Sequence, residues 1–252
     1  MFARTDGSEF FVDLGPVHPH LLFEVLAYAI GFGIYRRARA SRGDVVGEDV
    51  RWTVFAAATV GAALGAKLLA LLIEPALLSD RLTDVRRFAA SGKTIVGALL
   101  GGWLSVEVAK KATGVRERTG DLFALPLCVG IGIGRVGCFL TGLPDQTYGR
   151  ATRLPWGIDF GDGVARHPTQ LYELAFLVLL GGGLVRLERL RPPTGRVFRT
   201  FLLSYLAFRF AIDGLKPSPR FFALGAIQWA ALLGCVLLAL DRMCFARVRR
   251  AS

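Results

Sequence analysis

The chain has 252 residues and four cysteines, Cys128, Cys138, Cys235 and Cys244. None forms a CxxC pair or sits in a Cys/His cluster, so the spacing argues against a disulfide framework and against a zinc module. The start, MFARTDGSEFFVDLGP, has no basic segment followed by an apolar core, and no cleavable secretory signal is expected there. No Lys/Arg-rich face carries interleaved aromatics, which argues against a nucleic-acid partner. Acidic residues are few, 20 against 31 Lys and Arg, which leaves a net charge of +11. What the chain does have is apolar residues. They make up 53% of it, glycine excluded, and the mean hydropathy is +0.46. A soluble domain reaches only about 45–50% even with glycine counted.

The apolar residues are grouped in runs of the length a bilayer requires. They predict an all-α integral membrane protein of about seven transmembrane helices, forming a single membrane domain over residues 1–252. The expected spans are Leu21–Tyr35, Trp52–Leu78, Thr94–Ala109, Leu122–Gly142, Gln170–Val185, Val197–Ile212 and Phe221–Leu240. Basic residues then orient the chain. Arg36, Arg37, Arg39 and Arg42 follow the first span, and Lys110, Lys111, Arg116 and Arg118 follow the third. Arg186, Arg189, Arg191, Arg196 and Arg199 follow the fifth, and Arg242, Arg247, Arg249 and Arg250 follow the last. The alternate loops mix fewer basic residues with acids, as in SDRLTDVRR. The positive-inside rule then puts the N-terminus outside and the C-terminus in the cytoplasm. The charge is topology and needs no polyanion beyond anionic lipid.

The longest external loop on this reading, residues 143–166, is dense in Gly, Pro and Asp and is expected to form a small turn-rich or β-containing cap. Two phrases, HPHLLFE at His18–Glu24 and HPTQLYE at His167–Glu173, both fall where a span enters from outside. Proline suits a first helical turn, where its missing N–H is no loss, so both read as helix starts. The echo is either chance or an old internal duplication. In the first phrase His20, Glu24 and Tyr28 recur every four residues and share a face.

Ionisable residues inside spans are costly, and they mark ion pairs or polar cavities. Glu24, Lys67, Glu107, Arg135, Glu173, Arg209 and Asp213 all lie within or at the ends of spans. Lys67 and Glu107 read as structural; Arg135, Arg209 and Glu173 read as functional. Arg209, Asp213 and Lys216, at i, i+4 and i+7, are expected on one helix face. GIGIGRVGCFLTG, Gly130–Gly142, contains a GxGxxG match, but it lies inside a hydrophobic span without the strand and downstream acid of a dinucleotide site. Its glycines are expected to permit close helix approach or to admit a lipid headgroup to the backbone. SGKT at Ser91–Thr94 lacks the upstream glycine of a P-loop. Buried arginines suit a phosphate, which they grip bidentately, and the membrane's own phosphate is a phospholipid headgroup.

GRVGCFLTG, then YGR, then RHPTQLYE, then AFRFAIDGLK resemble, in order and spacing, the prolipoprotein diacylglyceryl transferase family, well over Leu122–Ala230 and loosely before it. The resemblance implies a bacterial cytoplasmic (inner) membrane enzyme without metal or cofactor. It would move a diacylglyceryl group from phosphatidylglycerol, or another anionic phospholipid, to the cysteine thiol of a secreted lipobox precursor. It also implies lipid binding by Arg135, Gly137, Gly149, Arg150, Gln170 and Tyr172, and catalysis by Arg209, His167 and Glu173. His20, Glu24, Asp213 and Lys216 are secondary candidates. Three positions depart from the family: Val96 replaces its histidine before a glycine pair, Cys138 replaces its asparagine after GR-x-G, and Glu24 or Phe23 replaces its N-terminal tyrosine. The base would then come from His167 or from the His20/Glu24 face, or the reaction differs. Two alternatives follow: a divergent paralogue with another acceptor, and a non-catalytic phospholipid-binding scaffold.

Overall fold

The computed structural model describes residues 2–3, 9–10, 18–73 and 92–251, and for 2–3, 9–10 and 242–251 the backbone alone. The SDRLTDVRR loop, Ser91, the end of the second expected span and the side chains of Cys244 and the terminal arginines lie outside the described residues. The chain is mostly helical. Among the described residues the helices are α1 (Pro19–Arg42), α2 (Glu48–Ile73), α3 (Ile95–Ala112), α4 (Asp121–Thr141), α5 (Thr169–Arg189), α6 (Arg196–Asp213) and α7 (Ala226–Ala251). Three of them, α2, α4 and α5, are long and apolar enough to cross a membrane, and α7 has a shorter apolar stretch, Ala226–Asp241. The apolar side chains on these helices point outward as well as inward: Leu72 is 63% exposed and Leu179 77%. That is the surface a lipid solvent rewards and water penalises.

Both His-Pro phrases begin helices, with different caps. His18 is the N-cap of α1, its Nδ1 accepting from the His20 N–H at 3.2 Å, with Pro19 in the first turn. In the second phrase Pro168 is the cap and Thr169 the first helical residue. The last expected span begins later than the hydropathy places it. Arg220–Phe221 and Leu224–Gly225 pair as a two-stranded hairpin (β5, β6), and the helix starts at Ala226. The reason is local: Phe222 and Ala223 take left-handed φ of 47° and 69°, a turn no helix can contain. Two further hairpins pair Phe2–Ala3 (β1) with Glu9–Phe10 (β2) and Ile158–Asp159 (β3) with Ala165–Arg166 (β4).

The chain folds into two compact units. The first comprises residues 1–44, 119–201 and 215–217; the second comprises 45–118, 202–214 and 218–252. In the first unit α4 packs on α1 and on α5. Tyr35 stacks on Phe123 with centroids 5.2 Å apart, and the buried Cys128 thiol donates to the Leu177 carbonyl at 3.3 Å. Asp121 opens α4 and caps the start of α6, its two carboxylate oxygens accepting the Gly195 N–H at 2.6 Å and the Phe198 N–H at 2.8 Å. Those are donors that a helix start otherwise leaves orphaned.

In the second unit α2 and α3 pack most intimately. Gly61 and Gly65 of α2 face Gly101 and Gly97 of α3 in antiparallel register, so closely that a Cβ on any of the four would overlap backbone of the other helix. This is the small-xxx-small seam that lets helices meet through their backbones in lipid. The tightest glycine approach is thus here, not in GIGIGRVG. In that stretch Gly137 packs against Phe23, while Gly134 has nothing within 4 Å of where a Cβ would stand. Glu107 pairs with Lys110 at 3.0 Å within α3. Gln228 bridges its unit's main chain, accepting from the Gly225 N–H and donating to the Phe210 carbonyl, both at 2.9 Å.

Candidate functional site

The first unit gathers most of the residues singled out from the sequence. Arg135 projects from α4 and Glu173 from α5, and Nε of one lies 3.0 Å from Oε1 of the other, both side chains buried. A buried pair of this kind is costly to desolvate and is kept where its partners need each other. One turn away on α5 is Gln170, 1% exposed. Neither its amide nitrogen nor its amide oxygen has a hydrogen-bond partner among the described residues. An unpaired buried amide costs about 1–3 kcal/mol, so this one is either a liability or a ligand contact.

The YGR and HPT motifs, apart in sequence, are one structure. The Gly149 N–H donates to the His167 carbonyl at 2.9 Å, and the His167 N–H donates to the Arg150 carbonyl at 3.1 Å. Glycine is required at 149, because a Cβ there would press on the His167 and Thr169 side chains. Thr169 Oγ1 donates to the Thr147 carbonyl at 2.6 Å, which ties the segment to the start of α5. Trp156 Nε1 donates to the Tyr172 hydroxyl at 2.8 Å, and that hydroxyl lies 3.2 Å from His167 Nδ1. His167 is therefore oriented by an aromatic chain, with Nε2 as the ring nitrogen left over. Residues 143–166 contain a 3-10 turn at Leu143–Asp145 and the β3–β4 hairpin. The Arg166 guanidinium forks onto Asp162 at 2.6 and 2.7 Å and lies 4.9 Å from the Tyr148 ring. The Arg166 hydrogen bonds hold the Asp162 carboxyl below its ordinary range.

The motifs gave no sign of Asp145. Its Oδ1 lies 3.1 Å from His20 Nδ1, and Thr147 Oγ1 donates to its Oδ2. Burial pushes this carboxyl up, but the hydrogen bonds from His20 and then Thr147 prevail and hold it below the usual carboxylate range. Cys138 joins the group, its sulfur 3.7 Å from His20 Nδ1 and 3.8 Å from Arg135 Nη1. Nothing in the sequence signals this meeting, since His20 and Cys138 are 118 positions apart. His20 Nε2 stands 4.0 Å from Glu24 Oε2, and Tyr28 donates to Glu24 Oε1 at 3.4 Å, so the face expected from the four-residue spacing exists.

The second unit holds Arg209 and Asp213. They are i, i+4 on α6, buried, with Nη2 and Oδ1 4.0 Å apart. Lys216 does not continue that face. The helix stops at Asp213 because Gly214 and then Pro217 end it, a proline disfavouring helical backbone at the residue before it. Lys216 belongs to the first unit, where its carbonyl accepts from Arg150 Nε at 3.2 Å. Val96, at the position where the resemblance implies a histidine, is a buried apolar residue in the first turn of α3.

Helices long and apolar enough to cross a membrane, with a buried, carboxylate-paired arginine and an unsatisfied amide one turn along from its carboxylate, place the chain in the class of helical membrane proteins with polar groups set among apolar helices. Comparison with known sequences narrows that class. The profile of the family described as prolipoprotein diacylglyceryl transferase matches residues 9–247. A protein of Geobacter sulfurreducens named phosphatidylglycerol–prolipoprotein diacylglyceryl transferase is 37% identical over 204 residues, covering 76% of this chain and 75% of its own length. Proteins of the same name from Bordetella avium and Solidesulfovibrio magneticus are each 31% identical. The first covers 87% of both chains, the second 98% of this chain and 97% of its own. The chain belongs to the prolipoprotein diacylglyceryl transferase family.

Proposed function

We propose that this chain transfers the diacylglyceryl group of phosphatidylglycerol to the cysteine thiol of a lipobox precursor. It would do so in the bacterial inner membrane, with seven spans, the N-terminus and residues 143–166 outside and the C-terminus in the cytoplasm. The relatives' names supply the substrates. The observation that carries the reading is Arg135, buried on α4 against Glu173 with the unpaired Gln170 amide one turn along α5. The reaction needs three things. The acceptor thiol must lose its proton, because the thiolate is the nucleophile. Sulfur then bonds the glyceryl carbon as the C–O bond to the phosphate oxygen breaks, and the electron pair leaves with glycerol phosphate. The departing phosphate gains charge, which a fixed guanidinium in a water-poor site stabilises.

In this reading Arg135 holds the phosphate, Gln170 donates to a phosphate or ester oxygen, and Gly149 lets the Arg150 segment pack against His167 and Thr169. Glu173 holds Arg135 in place, and Arg209 is a further candidate tested by its own variant. His167 takes the thiol proton at Nε2, because Tyr172 and Trp156 already orient its other face. Purified protein incubated with labelled phosphatidylglycerol and a lipobox peptide should place label on the peptide cysteine. His167→Gln should lower kcat about 10²–10⁴-fold with little change in KM, the scale of a lost general base. Gln170→Leu should melt no lower than the parent, since it removes an unpaired buried amide, and yet lose activity about 10-fold or more, the scale of a charge-assisted hydrogen bond. A Gln170→Leu protein of full activity would remove the amide from the site.

A second reading rests on Val96 and Cys138, which remove the two polar side chains that the resemblance implies at those positions. It is a paralogue that uses the same lipid with another acceptor. Label that leaves phosphatidylglycerol but never reaches the peptide would favour it.

A further inference from the structure

The cluster His20–Cys138–Asp145 contains more ligand chemistry than the transfer reaction uses. The three side chains come from three elements: the first turn of α1, the last turn of α4 and the 3-10 turn that follows it. Each offers one donor atom, and the three atoms lie within 4.8 Å of one another. His20 Nδ1 is 3.1 Å from Asp145 Oδ1 and 3.7 Å from Cys138 Sγ. A tetrahedral zinc with bonds of about 2.0–2.3 Å places neighbouring N, O and S ligands about 3.4–3.6 Å apart, so both separations need shifts of only a few tenths of an ångström.

The surroundings complete the pattern. Thr147 Oγ1 donates to Asp145 Oδ2, which leaves Oδ1 directed at the cluster. Glu24 Oε2 stands 4.0 Å from His20 Nε2, where an outer carboxylate would fix the ring of a ligating histidine. The scaffold is stiff at this point: Gly137 lies against Phe23, so α1 and α4 meet beside the ligands. The His20 side chain is 41% exposed, which gives an ion a way in and leaves room for a fourth, water ligand. The nearest opposing charge, Arg135, is 3.8 Å from Cys138 Sγ but is already paired with Glu173.

We propose that His20 Nδ1, Cys138 Sγ and Asp145 Oδ1 form a binding site for a thiophilic divalent cation of the zinc type. Thiolate and imidazole select zinc or cobalt over magnesium and calcium, which demand oxygen ligands. Binding displaces the His20–Asp145 hydrogen bond: the proton on His20 Nδ1 leaves that nitrogen, Nε2–H facing Glu24, and the Cys138 thiol proton is released to solvent, with no redox change. The site stands on its own geometry and borders the proposed transfer site at Arg135, whose Nη1 lies 3.8 Å from Cys138 Sγ.

Cobalt(II) is the probe, because thiolate ligation gives it a charge-transfer band and tetrahedral geometry gives it strong visible bands. Tag-free full-length protein in detergent is titrated with cobalt(II), then with zinc(II) as competitor. One equivalent should produce both sets of bands, and zinc should bleach them. Cys138→Asn should lose the charge-transfer band. Asp145→Asn and His20→Gln should each weaken binding at least about 10-fold, no less than the loss of an outer-shell partner. Cys235→Ser should behave as the parent, and melting curves for every variant establish that it is folded. The site is overturned if the parent shows no thiolate-to-cobalt band at one equivalent, or if folded Cys138→Asn keeps it.

Discussion

Replacing Arg135 with alanine is expected to lower transfer from phosphatidylglycerol to a lipobox peptide by about 10²–10³-fold or more in kcat/KM, the scale seen when one fixed donor to a developing oxyanion is removed. The same substitution strips Glu173 of its partner. Both side chains are buried and the pair is 3.0 Å apart, so the carboxylate would lose its opposite charge in a dry site. Breaking such a pair costs about 3–5 kcal/mol of stability. Activity loss alone would therefore not distinguish a lipid-gripping arginine from a structural one. Arg135→Met combined with Glu173→Met separates the two. Replacing both charges with apolar side chains of similar length removes the uncompensated ion, and such swaps are often neutral or stabilising. The double variant should recover most of the melting temperature that either single variant loses, while transfer stays at the level of Arg135→Ala. If it regains transfer along with stability, the arginine only holds α4 and α5 together, and the phosphate is gripped elsewhere. Arg209→Met, run in parallel, reports on the i, i+4 pair of α6 by the same logic.

Helix positions were legible because apolar runs and proline starts are local signals. Leu122–Gly142 as read from hydropathy differs from Asp121–Thr141 by one residue at each end. The start of α7 alone is displaced, and for a local reason of another kind: RFFALG is apolar enough to be counted in a span, but its backbone turns through Phe222 and Ala223. Hydropathy measures what a side chain prefers, not whether the main chain can stay helical. The site was legible in its motifs and not in their assembly. Arg135 and Glu173 stand out because charge inside apolar runs is conspicuous, whereas Gln170 enters only through the resemblance carried by HPTQLYE. Asp145 was missed because an aspartate in a polar loop is unremarkable until His20 and Cys138 arrive beside it from other elements. The glycine seam was in plain view as GAALG at Gly61–Gly65 and GALLG at Gly97–Gly101. It was passed over for the denser glycines of GIGIGRVG, where Gly134 meets nothing. Spacing alone does not separate the two, since Gly130 and Gly134 are also four apart; what marks the seam is that each helix sets its glycine pair against the other's.

That seam carries the largest stability prediction. A Cβ on Gly97 would overlap the Gly65 carbonyl oxygen, and a Cβ on Gly101 would overlap that of Gly61; the reciprocal contacts are equally close. The obstacle in each case is backbone, so no rotamer change relieves it, and α2 and α3 must part. In lipid the helices associate through packing rather than expulsion of water, so separation forfeits the contacts that join them. Gly65→Ala and Gly97→Ala should each cost about 1–3 kcal/mol, the range for overfilling a packed site. Gly65→Leu together with Gly101→Leu should leave no folded protein to purify, since both rows of the seam are wedged open. Gly183 on α5 is the control, because nothing lies within 4 Å of its Cβ position. Gly183→Ala should be neutral or stabilising by about 0.5–1 kcal/mol, the helix-propensity gain at an unhindered site. Reversible unfolding in mixed micelles, or thermal inactivation of detergent-solubilised protein, reads the three alanine variants, and the yield of folded protein from membranes reads the double leucine variant. Equal tolerance at Gly97 and Gly183 would mean that α2 and α3 do not meet through their backbones.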